Sequence, residues 1–220
     1  MRAVEGAIES VIIRDDVCLG VIGNLSPRGI CGSGLIDAVA EMLKTGIIDE
    51  TGRFVDTEKG RCKLNPQLQA RLMKNDDGTE FILVPGNISA TGKDIVIAQK
   101  DIKELQLAKA AIYAGIQVLL QEMGIVTENI TELLLAGAFG NHVRKESALT
   151  IGLLPSVPLH CILPIGNAAG EGAVLALLSR TERERALSLV QKAEYIDLSA
   201  RADFHERFID ALRFPEMHTI

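Results

Sequence analysis

Apolar residues fall in short runs and in stretches of helical spacing, and their alternation predicts an α/β chain. Residues 8–13 and 17–22 read as two strands, with Arg14-Asp15-Asp16 turning between them. A loop follows over 24–28. Leu35, Ile36, Val39, Met42 and Leu43 then recur at helical spacing, in a helix that opens near Ser33 and stops at Gly46. Residues 47–83 are polar and turn-rich, with short strands and a small helix around 67–73. Residues 81–85 and 95–98 read as strands joined by the loop 86–93. The longest helical pattern covers 101–123, with Ile102, Leu105, Ala108 or Ala111, Ile112, Ile116, Leu119, Leu120 and Met123 along one face. Asp101 with Glu104 reads as its capping pair, and Gly124 ends it.

Residues 133–136 form an unbroken apolar run, read as a strand buried on both faces of a parallel sheet. A short helix over 146–151 and an apolar strand over 159–163 follow. The small residues 166–173 then enter a helix ending near Ser179 and would let it pack closely on its neighbours. Thr181 with Glu184 caps another helix to about 193, residues 194–198 read as an edge strand, and Asp203 with Glu206 caps a last helix stopped by Pro215. No repeat, low-complexity tract or linker interrupts the 220 residues.

Composition narrows the partners. Hydrophobic residues make up 47% and charged residues 24%, an ordinary globular balance. The net charge is −6 with no basic cluster, and aromatics are 4%, so neither a phosphate backbone nor stacked bases are expected as a ligand: no nucleic acid. No apolar run approaches the roughly 20 residues of a membrane span, and no signal-peptide core follows Met1, so no membrane is expected. Cys18, Cys31, Cys62 and Cys161 are too scattered for a local metal motif. Cys18 and Cys161 read as small core residues, and a reduced cytoplasmic setting is the expectation.

Two glycine turns carry the candidate chemistry. Gly137, Ala138, Phe139, Gly140 and Asn141 follow the strand at 133–136, where α/β sheets place ligands beyond their carboxyl ends. Glycine lets the backbone turn and a flat ligand approach. On these residues alone a plain tight turn is the better reading. Gly32-Ser33-Gly34 opens the first helix, where free N–H groups favour an anion; a Ser cap between glycines reads equally well. Other motifs fail. Asp37 and Leu175 stand where a third dinucleotide-fingerprint glycine would be, and five residues separate Gly86 from Gly92-Lys93 where a P-loop has four. Cys31 and Leu35 exclude a nucleophile elbow at Ser33. The four histidines have no metal spacing. Asp76-Asp77-Gly78-Thr79 could be a magnesium–phosphate turn, but residues 71–75 before it read as a polar helix end, so a solvated hairpin turn is expected.

Five blocks taken in order go further: Gly-Ile-Cys-Gly-Ser-Gly-Leu-Ile-Asp from Gly29, Gln-Lys-Asp-Ile-Lys-Glu-Leu-Gln-Leu-Ala-Lys-Ala-Ala-Ile from Gln99, Leu-Ala-Gly-Ala-Phe-Gly-Asn from Leu135, residues 147–155, and Gly-Asn-Ala-Ala-Gly-Glu-Gly-Ala from Gly166. Together they resemble the C-terminal part of the ATP-dependent reductive activators of corrinoid proteins, over nearly the whole chain. The resemblance implies a ribonuclease-H-like, actin-like ATPase half, with a mixed sheet flanked by helices and a small strand-rich insertion. It implies ATP or ADP as ligand, with Gly137, Ala138 and Gly140 against the nucleoside and Phe139 and Asn141 in the same turn. Gln106 and Lys109 would touch ribose or adenine, and Gly32, Ser33 and Gly34 would lie toward the phosphates. Lys109 reads equally as a solvated helix charge.

Proteins of this family carry two Asp/Gly/Thr phosphate turns and an iron–sulfur domain ahead of the matched region. Residues 1–220 are therefore expected to be one domain, a portion of a longer activator without its magnesium and phosphate ligands. Alone it is expected to bind nucleotide weakly or not at all and not to hydrolyse ATP. The implied partner is a corrinoid protein or corrinoid-dependent methyltransferase, with a homodimer as a further expectation. The alternatives are a non-catalytic dimerisation or docking module, or an activator or kinase of another family of this superfamily.

Overall fold

The computed structural model describes residues 1–55, 64–76 and 78–216. Strands β1 (Ala7–Ile13) and β2 (Val17–Val21) form the expected hairpin, Ile13 opposite Val17, and the two-residue β3 (Gly29–Ile30) joins the other edge of β1 in parallel. Helix α1 (Gly32–Lys44) lies along β1 and buries Ile36, Val39, Met42 and Leu43. Its approach is close: a Cβ on Gly34 would stand 2.3 Å from the Ile8 carbonyl oxygen, so only glycine fits.

The strand-rich insertion comes next. Helix α2 (Pro66–Ala70) is capped by Asn65, whose side chain accepts from the Leu68 N–H at 2.8 Å, with proline where no N–H is needed. Strands β4 (Leu72–Asn75), β5 (Gly78–Val84) and β6 (Ile95–Ala98) form an antiparallel sheet in that order. Residues 72–75 are thus strand and not a helix end; cross-strand pairing of Leu72 with Phe81 outweighs the local polar pattern. The hairpin turn expected after them is present, with Asp77 outside the described residues.

Helix α3 (Gln99–Glu122) is the long helix, but two details differ from expectation. Asp101 is its third residue, and its carboxylate accepts from the Ala98 N–H at 2.8 Å. Its buried face is Ile102, Leu105, Lys109, Ala110, Ala114, Gly115 and Val118, while Ile112, Leu119 and Met123 are exposed. The periodicity of bulky residues points to one face; close packing selects the small one. There a Cβ on Gly115 would meet Leu198 at 3.3 Å, and α8 (Ala202–Asp210) packs against the helix.

Strand β7 (Leu133–Leu135) pairs in parallel with β8 (Ile162–Pro164), Leu133 opposite Ile162. The parallel pairing is as expected, but Leu134 is 52% exposed, so one face of this short sheet is bare. Between the strands, α4 (Gly137–His142) and α5 (Lys145–Thr150) pack on α1. After β8 come α6 (Ala168–Leu178) and α7 (Arg180–Lys192), which pack on each other and contain no buried residue. The expected close packing of α6 is not seen: Leu177 is 75% and Leu178 79% exposed.

Smaller corrections follow from capping. Ser179, not Thr181, caps α7 by accepting from the Glu182 N–H. Residues 194–198 are not strand, and Ser199 folds back onto Asp197 through its N–H and hydroxyl. Arg201 precedes α8, pairing with Asp203 and reaching Glu122 of α3 at 2.7 Å, so Asp203 is not the cap. Cys18 is exposed and Cys161 half-buried, while Cys31 is the buried one; Cys62 is outside the described residues. Among the described residues no helix is long and apolar enough to cross a membrane.

Candidate functional site

The carboxyl ends of β7 and β8 meet through their first loop residues. The Ile165 N–H donates to the Leu135 carbonyl at 2.9 Å, and the Gly137 N–H to the Gly166 carbonyl at 2.7 Å. Both glycines are left-handed, at φ +90° and +66°, where other L-residues are strained. Among the described residues, and apart from its chain neighbours and the backbone of its own helix, nothing lies within 4 Å of the point where a Cβ on Gly137 would be. Gly140 has the opposite reason to be glycine: its Cβ would stand 2.9 Å from Leu135 Cβ, and its absence lets α4 lie against β7. On the β8 side Asn167 caps α6 by accepting from the Gly170 N–H at 3.1 Å. Ala138, Phe139 and Asn141 occupy the same short helix as Gly137 and Gly140.

The other glycine turn is packed. Gly32 is exposed at the start of α1, but Ser33 and Gly34 are buried against β1. The Ser33 hydroxyl donates to the Glu9 carbonyl at 2.9 Å, so it does not cap the helix. Gln106 and Lys109 are held elsewhere. Gln106 Nε2 donates to the Thr51 and Leu212 carbonyls, at 3.1 and 2.9 Å. Lys109 Nζ donates to the Arg213 carbonyl and lies 5.2 Å from the Phe214 ring centroid. A cavity of about 440 Å³ opens beside Lys109, and neither Gly137 nor Gly140 lines it. Burial pushes the Lys109 ammonium down to about 8. The sequence-predicted residues therefore fall into three places: the strand ends, the α1–β1 seam and the C-terminal seam.

A buried polar cluster gave less warning. Asp37 and Glu41, one turn apart on α1, accept from the Val11 and Ile13 N–H groups at 3.3 and 3.2 Å, where β1 has run past β3. Arg144, just after α4, lies 3.8 Å from Asp37 and 4.0 Å from Glu41 and donates to the Val11 carbonyl. Burial raises the Asp37 pKa; the Ser147 hydroxyl, Arg144 and the Val11 N–H oppose the rise, and Glu41 adds to it. Ser147 lies close to Asp37, yet neither its hydroxyl nor Asp37 Oδ1 makes a well-formed hydrogen bond. Two carboxylates spaced i,i+4 within an apolar helix were the available sequence sign. Among the described residues no group of three His, Cys, Asp or Glu side chains could hold a metal.

Parallel strands that end in glycine turns and feed helices, with an antiparallel sheet inserted between α1 and α3, make an α/β domain, and its likeness to a solved reductive activator is consistent with the actin-like ASKHA class. Residues 1–220 match the family described as the C-terminal domain of RACo, the ASKHA domain, and the chain belongs to that family. It is 38% identical over 216 residues to the corrinoid activation enzyme RamQ of Eubacterium limosum, covering 95% of this chain and 35% of that protein. It is 24% identical over 188 residues to the Co(II) methylated amine-specific corrinoid protein reductase of Methanosarcina barkeri, covering 84% and 29%. A solved structure, the reductive activator for corrinoid, iron-sulfur protein, superposes with a TM-score of 0.86 at 38% identity, covering 99% of this chain and 34% of that one. The chain thus spans about a third of the length of these relatives.

Proposed function

We propose that this chain is the C-terminal nucleotide-binding portion of an ATP-dependent reductive activator of corrinoid proteins. The observation that carries the reading is Gly137: left-handed, tied to Gly166, and open where a side chain would stand. A purine can lie on main chain only where no Cβ intervenes. Gly137 supplies that bare surface, and Gly140 sets the angle of α4 behind it. Ala138, Phe139 and Asn141 continue α4 from Gly137. Gly32 is the exposed member of the phosphate-side turn, with Ser33 and Gly34 fixing α1 under it.

Gln106 and Lys109 would reach a ribose only after releasing the carbonyls of residues 212 and 213, so in this conformation they are outside the reading. Bound ATP would supply the free energy of phosphoryl hydrolysis; this chain's part is to hold and orient the nucleoside. Magnesium, the phosphate aspartates and an iron–sulfur cluster belong, in this reading, to further parts of a longer activator. The partner is a corrinoid protein or a corrinoid-dependent methyltransferase.

A second reading, a docking or dimerisation module, is favoured by the exposed leucines of α6 and α7. Titration calorimetry with ADP separates the two. Saturable heat that disappears in Gly137→Val supports the nucleotide site. No heat with ADP, together with a complex with a corrinoid protein, supports the module.

A further inference from the structure

We propose that the cavity between α3, the turn after α5 and residues 210–215 binds a small carboxylate carried on an apolar body, with Lys109 as its counter-charge. Lys109 is 2% exposed, yet among the described residues its ammonium makes one hydrogen bond, to the Arg213 carbonyl. An ammonium has three N–H donors, and burying it without a counter-charge is costly. Among the described residues no carboxylate pairs with it. Asp210 lines the cavity without reaching it, and Arg213 turns its guanidinium outward to Glu50 at 3.2 Å.

The space beside this cation has the size of a ligand site. Its volume of about 440 Å³ is within the common range for small-molecule pockets. Leu149, Leu154, Phe214 and Pro215 make much of the wall apolar, and Tyr113, Ser156, Asp210 and Arg213 are the polar residues that line it beside Lys109. With Arg213 engaged by Glu50 and the Asp210 carboxylate on the rim, Lys109 is the one lining cation without an acidic partner among the described residues, which favours a monoanion with a hydrophobic body over a phosphate dianion. Gly152 keeps this space continuous with the lysine: it is left-handed at φ +68°, and a Cβ there would stand 3.0 Å from Pro215 and 3.5 Å from Lys109 Nζ. A carboxylate seated against Nζ would favour the charged lysine and raise its pKa from about 8. Binding should therefore take up protons near that pH. The proposal uses none of the residues on which the nucleotide reading rests.

The test is an NMR titration of the 220-residue chain with benzoate, acetate, inorganic phosphate and ADP, following the methyl groups of Leu149 and Leu154. Benzoate is expected to shift them saturably, at roughly millimolar concentration or below, with acetate and phosphate weaker. Lys109→Met should weaken benzoate at least about tenfold, and affinity should fall as pH rises through about 8. Leu154→Trp, which keeps the lysine and fills the space, should abolish benzoate binding and leave the amide spectrum of α1 and β1 unchanged. Absence of saturable methyl shifts up to about 20 mM benzoate would overturn the proposal. So would equal binding by Lys109→Met, phosphate binding as tight as benzoate, or displacement of benzoate by ADP.

Discussion

Asp37 accepts the Val11 N–H on the edge where β1 has run past β3, and burial raises its pKa. Its folded pKa lies above its unfolded one, so the folded state holds the extra proton between the two. The residue's contribution to stability then falls as pH rises through that window. Asp37→Asn cannot titrate. Comparing urea unfolding of the two proteins from about pH 4 to about pH 7, the parent should lose stability relative to the variant as pH rises.

Lys109 has the opposite geometry of charge. Its pKa is lowered to about 8, so the penalty of the buried ammonium is present below that value and is relieved toward its unfolded value near 10.4. Relative to Lys109→Met, the parent should gain up to about 3 kcal/mol between pH 8 and 10. An unchanging gap between the two denaturation curves would show that Lys109 is not titrating in the fold. Neither residue declared its role in the sequence. Lys109 reads there as a nucleotide contact implied by the resemblance or equally as a solvated helix charge, and only packing on the C-terminal segment reveals it as a buried cation.

Among the elements, those whose pattern matched their packing were legible: the β1–β2 hairpin, α1, the β5 and β6 strands and the order β7–α5–β8–α6. α3 was legible as a helix but not in its orientation, because Ala110, Ala114 and Gly115 decide its seam and carry little hydrophobic weight. α6 was legible in its bounds and not in its surroundings. Its small residues suit close packing, yet it lies open beside α7, whose Leu187, Leu189 and Val190 are also exposed. Large exposed apolar patches are a feature of interaction faces. Leu177→Glu combined with Leu178→Lys should change the stability of the chain by no more than about 0.5 kcal/mol, because both side chains are three-quarters or more exposed among the described residues. The same pair should lower the fluorescence of a bound hydrophobic dye and any self-association seen by light scattering. A loss of several kcal/mol would mean that α6 belongs to the core.

For the whole molecule, the family and its fold were carried by five motif blocks, and the match over residues 1–220 agrees with them. The candidate site was legible only in part. Gly137 could be picked out because a glycine after an apolar run has a backbone reason to be there. Ser33, Gln106 and Lys109 were implied by the resemblance, and in the fold their side chains donate to carbonyls far along the chain, at Glu9, Leu212 and Arg213. Local sequence does not report such long-range partners. The central claim is that a nucleoside rests on the bare main chain where β7 and β8 end. Its most direct test is an amide NMR titration of this chain with ADP. The account predicts weak saturable shifts clustered at Gly137, Gly140 and Gly166, absent in Gly137→Val. An unperturbed cluster at about 10 mM ADP in a folded chain, or shifts that survive in Gly137→Val, would contradict it.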